Sequence, residues 1–160
     1  MMKGAVALTL GLLLILLAPA AYALPFATPN EMATGAFSES LTITGTTVTA
    51  NGFLITDTIT TTYSGGVKGV AVLNGSEMVF FNGSSTFKAD GTFVGRILGS
   101  LPGTLQESYS GTGTGTAFQG RGEDRDGAGG LNGFVGLESF NGAYTSETTA
   151  SGSYTLLAHR

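Results

Sequence analysis

Seven Asn-Gly or Asp-Gly pairs punctuate the chain: Asn51-Gly52, Asn74-Gly75, Asn82-Gly83, Asp90-Gly91, Asp126-Gly127, Asn132-Gly133 and Asn141-Gly142. Asn-Gly favours the type I′ turn, because both central residues need positive φ there, so each pair marks a candidate hairpin. Between the pairs apolar and polar residues alternate, and no window carries apolar residues at helical spacing. Seven turns imply about eight strands. A long antiparallel sheet hides its edges by closing on itself, and the 26 glycines permit the strand coiling that closure requires. The expected fold is all-β, an antiparallel eight-stranded barrel, with a sandwich as the alternative.

The strand phases are open to direct reading. In 36–43, Phe37, Leu41 and Ile43 share one face while Ser38, Ser40 and Thr42 share the other. In 53–63, Phe53, Ile55, Ile59 and Tyr63 alternate with Thr56, Thr58, Thr60 and Thr62. Further strands are expected over 67–73, 77–87, 92–98, 104–110, 114–121, 131–140 and 144–157. The hydroxyl-rich phase suits an outer surface, since β-branched residues fit the pleat and Thr keeps it wetted. A membrane barrel would need the opposite arrangement, an apolar outer phase.

The first residues read differently. Lys3 precedes an apolar run over 5–17, Pro19 breaks it, and Ala21-Tyr22-Ala23 places small residues at the −3 and −1 positions of a peptidase site. Cleavage after Ala23 is expected, leaving a secreted or periplasmic, envelope-located protein with no retained membrane span, since the apolar run is too short to cross a bilayer. Residues 24–31, with Pro25 and Pro29, read as an extended tether, and 32–160 as the barrel domain. Lys3, one of seven Lys and Arg, leaves with the leader, so six bases face eleven acids. The bases are scattered rather than striped, which excludes nucleic acid as the expected partner. With no Cys, stability rests on packing and strand pairing.

Several stretches together resemble a known group: Ala33-Thr34-Gly35-Ala36-Phe37, Phe118-Gln119-Gly120, the run from Gly127 to Gly136 containing Gly129-Gly130-Leu131, Phe140, and Gly152-Ser153-Tyr154. This pattern is similar to a bacterial family of unknown function grouped with allene oxide cyclase and dirigent proteins. The resemblance spans nearly all of the chain after the tether and implies the same eight-stranded antiparallel barrel. Its motifs are glycine and aromatic positions that report backbone geometry, and nothing in them matches the catalytic pocket of the plant cyclases.

Acids ride in the apolar phase: Glu39 between Phe37 and Leu41, Asp57 between Ile55 and Ile59, Glu107 between Leu105 and Tyr109, Glu138 between Gly136 and Phe140. If that phase points inward, carboxylates line the lumen, where burial raises their pKa values and makes them acids or ligand anchors. Arg96, beside Val94 and Leu98, is a candidate counter-ion. The charged segment Arg121 to Gly127 reads as a solvated hairpin tip, because two arginines oppose any resemblance of Asp124-x-Asp126-Gly127 to a calcium loop. The one imidazole, His159, sits at the chain end, so no Ser-His-Asp system, no metal site and no cofactor is expected.

The leading expectation is therefore a barrel binding a small, mostly apolar ligand in its lumen. Phe37, Phe53, Tyr63, Tyr109 and Phe134, with Phe80, Phe93 and Phe140, form the expected walls, and Glu39, Asp57 and Glu107 the polar anchors. Two alternatives remain open: a self-associating envelope protein with a filled barrel, forming a homo-oligomer through an apolar outer patch, and a cyclase- or isomerase-type enzyme using a lumen carboxylate.

Overall fold

The alternation becomes eight long strands: β1 (Glu31–Val48), β2 (Gly52–Gly65), β3 (Val67–Phe80), β4 (Ser84–Ile97), β5 (Gly103–Thr114), β6 (Ala117–Gly129), β7 (Val135–Ser146) and β8 (Thr149–His159). These come from a computed structural model that describes residues 30–159. Each strand pairs antiparallel with the next in sequence, and β1 also pairs with β8, so the sheet is a closed barrel without a free edge. The expected leader, the expected cleavage after Ala23 and nearly all of the expected tether lie outside the described residues.

Only three of the seven turn pairs sit at turns. Asn51, Asn82-Gly83 and Asn132-Gly133 connect β1 to β2, β3 to β4 and β6 to β7. Asn74-Gly75, Asp90-Gly91 and Asn141-Gly142 lie inside β3, β4 and β7, so the strands expected over 67–73 and 77–87 are in fact β3, the turn at 81–83 and the start of β4. The segment Arg121 to Gly127 is likewise no hairpin tip but part of β6. There, β6 holds an extra residue opposite β5, with a register shift between Thr104 and Gln106 and Asp126 at φ 54°.

A second rule explains many of the mid-strand glycines. Seven inward rings each face a glycine directly across the ladder: Phe37 and Gly152, Tyr63 and Gly69, Phe87 and Gly111, Tyr109 and Gly122, Phe118 and Gly142, Phe140 and Gly120, Tyr154 and Gly35. At Gly142 a Cβ would stand 2.6 Å from the Phe118 ring, and at Gly122 it would meet the Tyr109 ring. An eight-stranded barrel has just enough width for side chains to fill it. The glycines supply the space over which large rings lie flat.

The two ends differ. At the end where β1 begins and β8 ends, Val67, Ile97, Leu105, Leu131, Phe134 and Leu156 are buried and pack into one cluster with Phe93. Tyr154 pins this sealed end: its hydroxyl accepts from the Val67 amide at 2.8 Å and donates to the Ser64 carbonyl at 3.0 Å. Tyr154→Phe strands that buried amide and is expected to cost about 1–3 kcal/mol in urea unfolding, without shifting the barrel's circular dichroism.

Candidate functional site

At the opposite end the lumen opens into a cavity of about 60 Å³. The strand order divides its lining by chemistry. Glu39 on β1, Asp57 on β2 and Glu77 on β3 form an acidic wall on three adjacent strands, while Phe87, Phe118, Phe140 and Tyr144 line it from β4, β6 and β7. In a closed eight-stranded ring β2 lies opposite β6, so the carboxylates look across the lumen at the rings. The rings pack edge to face and tilted: Phe87 to Phe118 at 6.0 Å, Phe87 to Phe140 at 6.1 Å, Phe118 to Tyr144 at 5.2 Å.

Hydrogen bonds hold two of the three acids. Thr61 Oγ1 donates to Glu39 Oε1 at 3.2 Å, and Tyr144 donates to Glu77 Oε2 at 3.2 Å. Asp57 differs, being 8% exposed with Oδ1 lacking a partner among the described residues. That oxygen rests over Gly75, its cross-strand neighbour, where any Cβ would collide with it. The floor is the hydroxyl pair Tyr63 and Tyr109, 2.9 Å apart, with Tyr109 reaching Glu138 Oε2 at 3.5 Å.

Beneath that floor lie Glu107 and Asp124, directly opposite each other on β5 and β6. They are 4% and 2% exposed, and Glu107 Oε2 and Asp124 Oδ1 are unpaired. Six of the eleven acids thus point into the barrel. Among the described residues every Lys and Arg is exposed, and the ion pair Arg125 to Glu123 at 3.9 Å lies on the outer face. Burial without a cation pushes Glu39 and Asp124 up to about 7, Glu138 to about 8, and Glu107 well above its usual value. Neighbouring acids add to the rise, Asp57 acting on Glu39, and Asp124 on both Glu107 and Glu138.

The structure gathers Phe37, Glu39, Asp57, Tyr63 and Tyr109 around the cavity. It places three other expected site residues elsewhere. Phe53 is 42% exposed on a stretch of β2 that outruns the barrel, stacked edge-on against Phe81 at 5.7 Å. Phe134 plugs the sealed end, and Glu107 is buried below the floor rather than lining the cavity. Among the further expected walls, Phe140 lines the cavity, Phe93 belongs to the sealed core and Phe80 ends β3 without lining it. Arg96 points outward, opposite Lys68, and is no counter-ion.

The sequence reading does not place Glu77, Phe87, Phe118 or Tyr144 in the cavity wall, nor Asp124 in the lumen. For Glu77 the signal was present, since it continues the inward phase of Ala71, Leu73 and Gly75 once Asn74-Gly75 is read as strand. Outside the barrel, Met32, Leu137 and Leu157 form an exposed apolar patch, Leu157 pairing with both others across β8.

No family model matches the chain, and neither does any curated protein. Among solved structures it is similar to a protein of unknown function from the DUF3224 family of Shewanella oneidensis MR-1. The identity is 19% and the TM-score 0.61, with 80% of this chain and 96% of that chain covered. At that identity the likeness is one of fold, and the closed eight-stranded barrel is the statement it supports.

Proposed function

We propose that this protein is exported and binds a small, mostly apolar ligand in the open end of its barrel. The observation that carries the reading is the cavity itself: a lumen sealed at one end and, at the other, open between Leu41, Ile59 and a facing wall of rings. Its volume of about 60 Å³ admits a slender group, room for roughly four waters. The resemblance to the allene oxide cyclase and dirigent group supports treating the lumen as the working part, without bringing cyclase activity with it. Export rests on the leader and the site after Ala23.

The test is native mass spectrometry of residues 24–160 purified from the natural host, before and after organic extraction. The expected result is a discrete added mass on the monomer that extraction removes. A clean mass at a multiple of the chain, unchanged by extraction, would replace this reading with self-association through the patch of Met32, Leu137 and Leu157.

A further inference from the structure

We propose that the ligand of the lumen is a primary ammonium ion on a slim apolar body; this assignment rests on the cavity being a binding site. The acidic wall alone would say little. What directs it to a cation is Asp57, nine-tenths buried in the cavity wall with Oδ1 unpaired, on a strand with hydrogen-bonded Glu39 and Glu77 to either side. An N–H donor there would satisfy the one buried acceptor of the wall that lacks a partner among the described residues, and neutralise a cluster that has no positive charge within the lumen. A buried unpaired acceptor is costly, so a ligand that satisfies it gains more than one that covers it.

The opposite wall agrees. Phe87, Phe118, Phe140 and Tyr144 line the same space, and a desolvated ammonium between carboxylates and aromatic rings is attracted by both. The alternatives fit less well. Among the described residues no three of these carboxylates are grouped to hold a metal ion. An anion would meet the six inward acids, and the one base near it, Lys88, is exposed at the mouth. The cavity's narrowness selects a primary ammonium with its three donors over a bulky quaternary head.

The experiment is isothermal titration calorimetry of residues 24–160 at pH 8 with three probes of equal length: hexylammonium, hexan-1-ol and hexanoate. Hexylammonium is expected to bind at least ~10-fold more tightly than hexanol, with hexanoate giving no heat. Asp57→Asn, with its fold checked by circular dichroism, is expected to bring hexylammonium to within ~3-fold of hexanol. Should that variant not fold, Glu39→Gln is read in the same way. Hexanol binding as well as hexylammonium, or a preference that survives both variants, would overturn the amine assignment and leave lumen binding standing. No heat from any of the three would overturn both.

Discussion

The melting temperature is expected to fall by ~10 °C or more between pH 5 and pH 9, the reverse of the usual behaviour of a carboxylate-rich protein. Carboxylates that are paired in the folded state have lowered pKa values, and such proteins lose stability in acid. Here the lumen acids have no cation. The folded values of Glu39 and Asp124 rise to about 7 and that of Glu138 from an ordinary 4.5 to about 8, chiefly through burial. A raised folded value means the protonated form is the one the fold prefers. The stabilisation is full below the unfolded values near 4, and it is lost as pH climbs through the folded values near 7 to 8.

For Glu138 alone the shift corresponds to about 5 kcal/mol, and coupling with Asp124 and Glu107 makes the group's total smaller than a sum of independent terms. Scanning calorimetry at pH 5, 7 and 9 and constant ionic strength measures it. Net negative charge also grows over that range, so the local cause needs its own control. The pair Glu107→Gln with Asp124→Asn keeps shape while removing two of the three deepest carboxyls. It is expected to flatten the profile and to be more stable than the native chain at pH 9. A melting temperature that is level or rises with pH would show that these groups are solvated or paired.

Four of the six lumen acids were legible in the sequence. Glu39, Asp57, Glu107 and Glu138 stand in the apolar phase of regular runs, and alternation with period two is enough to say which face a residue takes. Alternation gives the face but not the height along the barrel. Phe53 and Phe134 have inward or buried positions yet miss the cavity, one beyond the barrel's open rim and the other in its plug. Ile43 is 50% exposed for a related reason: β1 carries an extra residue between Ile43 and Gly45 and pairs only with β2 there. Asp124 was hidden by its company. Glu123 and Arg125 beside it are exposed, and the charge of the segment resembles a solvated tip, while the bulge at Asp126 leaves no trace in composition. Arg96 was misplaced because Val94 and Leu98 are as apolar as Phe93 and Ile97, so neither phase of β4 stands out.

Gly91→Ala is expected to cost at least about 3 kcal/mol, and Gly83→Ala only about 1 kcal/mol, although both residues follow Asn or Asp in the same kind of pair. At a turn, glycine supplies a positive φ, and Gly83 does so at φ 82° with nothing within 4 Å of where a Cβ would stand. Replacing it brings only the strain of a left-handed residue. Gly91 lies inside β4, between Leu73 on β3 and Glu107 on β5. A Cβ there would run into the Val72 carbonyl and stand 2.7 Å from the Leu73 Cα and 2.9 Å from its Cδ2. Backbone cannot yield as a flexible side chain can, so β3 and β4 must separate in a ring that closes only when all eight pairs hold. Urea unfolding of the two variants, read by circular dichroism, makes the comparison. Equal losses would return Asp90-Gly91 to the role of an ordinary turn, and with it the register that carries Glu107 into the barrel.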